Sequence, residues 1–231
     1  MNKTQTKQIN IDNRLQTIAV LISGGITADV GSDHAYLPIW LLLNKKINKA
    51  YAIDISANSI AKIKRTLEKY NISEEIIVPV LSDGLSEFSG LHEVTDVIIA
   101  GIGGETISEI IKDIKIKNIN FILQPNTKVE FLREFLYKNG FYIIKEMVAE
   151  DKSRLYNIIQ AEFTGEYYNP EPLEIVAGKN IKHAGYINKV KKKLYNILKD
   201  LNKKGEEKYN IKTEFGYYTD IENLISELKK L

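Results

Sequence analysis

The sequence has no cysteine, three histidines, one tryptophan and five prolines among its 231 residues. Without cysteine there are no disulfides, no thiolate metal ligands and no thiol nucleophile, and a reducing compartment is permitted. Histidines scattered at positions 34, 92 and 183 do not make a metal site. No apolar run approaches the roughly 20 residues needed to cross a bilayer. The opening MNKTQTKQINIDNR lacks the apolar stretch of a secretory signal, so a cytosolic protein is expected. Two phosphate-binding signatures are also missing. Gly31 is followed by Ser32, Asp33 and His34, so the second and third glycines of G-x-G-x-x-G are absent and an acid stands where a diphosphate would approach. No G-x-x-x-x-G-K-[ST] occurs, and in the glycine-rich Gly101-Ile102-Gly103-Gly104-Glu105-Thr106 the glutamate opposes phosphate.

What is present describes a globular chain. With 44% hydrophobic and 27% charged residues, a disordered, collagen-like or low-complexity protein is excluded. The net charge of +2 hides an asymmetry. Residues 1–164 carry 19 basic and 20 acidic side chains, leaving 13 and 10 for residues 165–231, with lysines clustered between Lys179 and Lys204. A basic segment beside a neutral body suggests contact with a polyanion; the plainer alternative is a solvated helix face.

Leu15, Ile18, Ala19 and Ile22 have helical spacing within residues 9–22, with Asp12 or Asn13 as cap and Gly24-Gly25 as stop. A strand follows at 27–31 and an apolar helix at 36–43. A second strand, 50–55, leads to a helix through Ile60, Ile63 and Leu67, capped by Ser56 or Asn58. Further strands are expected at 76–81, 95–100 and 120–123, with helices at 105–114 and 129–138. Two last strands, 141–148 and 156–163, flank a polar turn at Asp151-Lys152-Ser153. Strands alternating with helices imply βαβ units and a parallel sheet covered on both faces, here with an antiparallel finish. Pro170 and Pro172 mark a linker. Beyond it, Ile187, Val190, Leu194, Ile197 and Leu201, then Ile221, Leu224, Ile225, Leu228 and Leu231, define two amphipathic helices expected to pair like a coiled coil, with Gly205 and Gly216 in their connection. The expected division is thus 1–164 and 165–231.

In an open parallel sheet the ligand lies beyond the carboxyl ends of the strands. Those ends carry Gly31-Ser32-Asp33-His34, Asp54, Asp83-Gly84, Gly101-Ile102-Gly103-Gly104 and Gln124-Pro125-Asn126. An adenosine ligand without phosphate fits them. Asp54, 23 residues after Gly31, is placed to accept from both ribose hydroxyls, and Asp83 from the adenine amine. Gly31 and Gly101 let a ligand lie against the backbone. Acids around the pocket suit a cation, and S-adenosylmethionine combines adenosine, a sulfonium and an amino-acid tail.

The strings Asp29-Val30-Gly31-Ser32-Asp33-His34-Ala35-Tyr36-Leu37-Pro38, Ile99-Ala100-Gly101-Ile102-Gly103-Gly104 and Leu123-Gln124-Pro125-Asn126 closely resemble the bacterial tRNA adenine-N1 methyltransferase family known as TrmK, whose members methylate adenine 22 of tRNA. Arg14-Leu15-Gln16-Thr17 and the segment from Leu132 to Tyr137 share the resemblance, which covers about residues 12–164. It implies an α/β, Rossmann-like class I methyltransferase domain with a C-terminal helical, coiled-coil-like domain. The implied cofactor pocket comprises Gly31, Asp33 and His34, then Asp54 and Ile55, then Asp83 and Gly84, and the turn Ala100, Gly101 and Gly103. Asp54 stands where many methyltransferases carry Glu, a shorter reach to the same diol.

Neutral adenine offers a lone pair at N1, so the transfer needs no strong base. Proximity and acceptors facing the exocyclic amine should carry it, with Asp33, Gln124 and Asn126 as candidates. N1 lies on the Watson–Crick edge and must be exposed, with Tyr36 a candidate to stack on the displaced base. Lys189, Lys191, Lys192 and Lys193, with Arg14 and Arg133 nearer the pocket, are candidates for the tRNA backbone. No metal, membrane or obligate protein partner is expected. Two rivals remain at this point: a nucleotide-dependent oxidoreductase on a similar sheet, and a non-catalytic RNA-binding protein.

Overall fold

The computed structural model describes residues 8–204, 210–212 and 218–230. Helix α1 (Asn13–Val20) is capped by Asp12, whose carboxylate accepts from the Leu15 N–H at 2.8 Å. The helix stops short of Gly24-Gly25, and those glycines turn the chain into β1 (Ile26–Val30). Then come α2 (Tyr36–Leu43), β2 (Lys49–Asp54), α3 (Ala57–Tyr70, capped by Ser56) and β3 (Ile77–Leu81). A 3-10 turn at Ser89–Glu93 leads into β4 (Asp96–Gly103), followed by α4 (Gly104–Ile111), β5 (Asn120–Thr127) and α5 (Val129–Lys138). The long β6 (Phe141–Asp151) and β7 (Arg154–Phe163) close the sheet.

The sheet order is β3-β2-β1-β4-β5-β7-β6, with β1 to β5 parallel and β7 antiparallel to both β5 and β6. Both faces are covered, as the short apolar strands require. Val97 and Ile99 of β4 and Phe121 and Leu123 of β5 face α4 and α5. Ile98 and Ile122, one residue out of phase, join the layer of α1, α2 and α3. Each is completely buried, worth about 1.5–3 kcal/mol per side chain. Chain order reverses between β1 and β4, so a crevice opens above their carboxyl ends.

Several expectations need correction, among them that the fifth strand stops at Leu123: β5 runs on through Gln124, Pro125 and Asn126 to Thr127. Strand β4 does not stop at Ala100: it runs on through Gly101, Ile102 and Gly103, pairing with β5 across a register shift between Ala100 and Ile102. The glycines form a bulge, which locally bends a strand without ending it. Pro172 opens a short helix, α6 (Pro172–Ala177), and so is more than a linker residue. Proline is suited to the first turn, where its missing N–H has no helical partner.

The C-terminal part contains α7 (Ala184–Lys204), the hairpin strands β8 (Asn210–Lys212) and β9 (Tyr218–Asp220), and α8 (Ile221–Leu228). Ile187, Val190 and Leu194 of α7 bury against Ile221, Leu224, Ile225 and Leu228 of α8, with Val176 and Ala177 of α6 completing the cluster. The second arm is therefore one short helix on a three-helix core. Gly205, Gly216, Leu231 and the side chain of Leu201 lie outside the described residues.

Candidate active site

The loop after β1 is built to present backbone. Gly31 has φ +79°, a conformation L side chains rarely adopt, and a Cβ added there would meet nothing within 4 Å. Gly31 directly follows β1, at the edge where the crevice opens. The Gly31 and Ser32 amides both donate to the Ile53 carbonyl, at 2.8 and 3.1 Å. They are thus unavailable to a phosphate, the geometric counterpart of the missing glycines. Beneath the loop, the Ser32 hydroxyl donates to Asp29 at 2.5 Å. Burial pushes the Asp29 carboxyl up to about 6, against the pull of that hydrogen bond and of the nearby Arg14 charge. Asp29 is only 8% exposed and anchors the loop.

At the end of β2, Asp54 accepts from the Ser56 N–H at 2.9 Å through Oδ1, and its other oxygen remains for a diol. Ile55 next to it and Leu81 at the end of β3 are 66% and 59% exposed, large apolar side chains on the rim. Asp83, exposed, follows Leu81. Leu81 was missed in the sequence because it reads as the last core residue of a strand. A ribose acceptor, two apolar walls, an acid for an amine and a bare backbone floor lie along three adjacent strand ends. These residues fit an adenosine-bearing, positively charged ligand such as S-adenosylmethionine. Among the described residues no His, Asp and Glu group could hold a metal ion, and no helix is long and apolar enough to cross a membrane.

The three candidate acceptors do not converge. Asp33 turns toward α3: its Oδ1 accepts from Lys62 Nζ at 2.7 Å and from Ser59 Oγ at 3.1 Å, and its Oδ2 lies 3.4 Å from His34 Nε2. The Lys62 hydrogen bond holds its carboxyl below the usual range. This pins the loop to α3, away from β5. The His34 ring lies flat against Tyr36, centroids 5.1 Å apart, and Tyr36 is 43% exposed.

Gln124 and Asn126 do belong together, Gln124 Nε2 donating to Asn126 Oδ1 at 3.1 Å. Gln124 is fully buried and cannot touch a substrate, whereas Asn126 is exposed. Asn126 Nδ2 donates at 2.7 Å to the carbonyl of Gly101, which the bulge in β4 turns toward β5 at φ +84°. Arg14 of α1 donates to Gln124 Oε1 at 2.7 Å and lies 5.8 Å from the Tyr156 ring centroid.

Beside Asn126 a cleft of about 610 Å³ separates the sheet from α7, walled by Arg154, Tyr156, Asn157, Lys189 and Lys193. Lys189 and Lys192 are exposed and Lys191 half-buried. Lys193 donates to Glu130 of α5 at 2.5 Å. Burial raises the Glu130 carboxyl, but the Lys193 ammonium outweighs it and holds the acid below its usual range.

Arg133 cannot contact RNA. It is completely buried, with Nε donating to Glu146 Oε2 at 2.9 Å, Nη1 to the Ile175 carbonyl at 2.9 Å and Nη2 to the Tyr186 hydroxyl at 3.2 Å. It joins the sheet to α6 and α7. Burial opposes its charge, yet Glu146 and Tyr186 hold the guanidinium more firmly protonated than usual.

Known proteins of similar sequence and fold are methyltransferases. A methyltransferase-domain family model matches residues 11–159. A tRNA (adenine(22)-N(1))-methyltransferase of Bacillus subtilis is 37% identical over 159 residues, which span 67% of this chain and 66% of that protein. The structure of Mycoplasma capricolum TrmK with S-adenosyl-homocysteine superposes with TM-score 0.75 at 30% identity, covering 95% of this chain and 96% of that one. A Streptococcus pneumoniae protein solved with S-adenosyl-L-methionine superposes with TM-score 0.77 at 26% identity, covering 96% and 99%.

Proposed function

The chain belongs to the methyltransferase-domain family, in the group of the tRNA (adenine(22)-N(1))-methyltransferases known as TrmK, and on that premise we propose that it methylates N1 of adenine 22 in tRNA, with S-adenosylmethionine as donor. The observation that carries the reading is the run of strand ends from Gly31 through Asp54 and Leu81 to Asp83, continued across the crevice by Asn126 at the mouth of a cleft walled by a basic helix. When bound, the donor supplies a methyl group on a cationic sulfur.

Everything else falls to the chain's own residues. Asp54 holds the ribose, Asp83 the adenine amine, and Ile55 and Leu81 cover the adenine faces. Gly31, His34, Gly84, Ala100, Gly101 and Gly103 line the rest of the pocket. Asn126 accepts from the amine of the target base, which aims N1 and stabilises the positive charge the base acquires. Tyr36 is available to stack on the displaced base. Lys189, Lys191 and Lys192 hold the tRNA backbone, with residues 165–231 the RNA-contacting part and 1–164 the catalytic part. On this reading the protein meets its tRNA in the cytoplasm. The oxidoreductase alternative is disfavoured because the Gly31 and Ser32 amides are already bonded to Ile53.

The test is incubation of unmodified tRNA with labelled S-adenosylmethionine, followed by primer extension, which a methyl on N1 blocks. The reading expects one labelled adenine at position 22. Label on another atom or base, or none, refutes it.

A further inference from the structure

The chain of amides between β4 and β5 is polarised from both ends. Arg14 Nη1 donates to Gln124 Oε1 at 2.7 Å, Gln124 Nε2 to Asn126 Oδ1 at 3.1 Å, and Asn126 Nδ2 to the Gly101 carbonyl at 2.7 Å. A guanidinium only donates, so it commands the oxygen end of Gln124; a backbone carbonyl only accepts, so it commands the nitrogen end of Asn126. The buried Gln124 transmits one constraint to the other. Only Asn126 is exposed, and its Oδ1 has a second lone pair beyond the one Gln124 uses.

A carboxamide free to flip would meet a 6-amino or a 6-oxo purine equally well. One that cannot flip prefers the amine. Resting on the reading above, we infer that Arg14 is a specificity-determining positioning residue: through Gln124 it fixes the Asn126 carbonyl toward the exocyclic amine of the target base, selecting a 6-aminopurine. Arg14 itself faces inward. Its side chain is 21% exposed, its Nη2 is 3.8 Å from Asp12 Oδ2, and its Nη1 lies 3.5 Å from where a Cβ on Gly101 would stand. This replaces the expectation that Arg14 grips tRNA phosphate.

The experiment compares tRNA carrying adenine with tRNA carrying unsubstituted purine, which keeps N1 and lacks the amine, at the target position. Wild type should prefer adenine by about tenfold or more in kcat, the size of one well-made hydrogen bond to a group gaining charge. Arg14→Ala should lower kcat on adenine several-fold, leave KM for tRNA within about twofold, and reduce the adenine-to-purine ratio by about threefold or more, the Gly101 carbonyl still holding the nitrogen end of Asn126. Arg14→Lys, which keeps a donor, should recover most of the ratio. Gln124→Glu gives an independent arm: a carboxylate accepts from Arg14 but cannot donate to Asn126, so the Asn126 oxygen faces an acceptor instead of a donor and the ratio falls even where S-adenosyl-homocysteine binding and melting temperature are unchanged. An Arg14→Ala protein with an intact ratio, a raised KM and a flattened salt dependence would overturn the inference and return Arg14 to the phosphate-binding set. A wild type that methylates no adenine refutes the function itself, and this inference with it.

Discussion

Replacing Arg133 by methionine should cost far more than replacing any surface arginine. The guanidinium and the Glu146 carboxylate are both wholly inaccessible and 2.9 Å apart. Arg133 also serves the carbonyls of Ile175 and Val176, at 2.9 and 3.3 Å, and the Tyr186 hydroxyl. Glu146 Oε1 accepts from the Lys179 N–H at 2.8 Å. Methionine fills much of the volume but leaves a buried carboxylate without its cation, a loss of about 3–5 kcal/mol. At about 2–4 °C per kcal/mol for a chain of this size, the melting temperature should fall by about 6–20 °C. Differential scanning calorimetry reads the shift. The double variant Arg133→Met/Glu146→Leu should regain part of it, because the stranded charge is gone. If Arg133→Met melted within a couple of degrees of wild type, this ion pair would not be what fastens the C-terminal helices to the sheet.

Three further outcomes are expected. Gly31→Ala forces an L side chain to φ +79°, costing about 1–2 kcal/mol of stability; its methyl also enters the crevice, so calorimetry should show S-adenosyl-homocysteine affinity dropping about tenfold or more, and unchanged affinity would place the cofactor elsewhere. Asp29 titrates near 6 when folded and near 3.9 when unfolded, so its contribution is fully present below pH 4 and lost as pH rises through 6, about 3 kcal/mol in all. Asp29→Asn should therefore flatten the dependence of melting temperature on pH between 4 and 7, and parallel curves for the two proteins would refute this. Changing Lys189, Lys191 and Lys192 to Ala should weaken tRNA binding and reduce the slope of log affinity against log salt by about 0.7–0.9 for each phosphate no longer neutralised; an unaltered slope would make them a solvated face.

The α/β part of the fold was legible because its strands are short, β-branched and closed by glycine or acid, and each strand end announces a rim position. Asp54 and Gly31 could be placed by counting alone. Three features escaped for one reason: they depend on partners distant in sequence. Arg133 reads as a surface cation on an amphipathic helix until Glu146, Ile175 and Tyr186 surround it. Arg14 and Gln124 lie 110 residues apart, so their hydrogen bond has no local signal. Glycines 101 and 103 look like a stop, and only the pairing with β5 shows that the strand passes through them. Leu81 was hidden differently, since an apolar residue ending a strand is counted as core unless its exposure is known.

The most direct test of the account is a crystal structure with S-adenosyl-homocysteine bound. Both ribose hydroxyls should lie within hydrogen-bonding distance of the Asp54 carboxylate, with the adenine between Ile55 and Leu81. A sugar bound away from Asp54 would contradict the site.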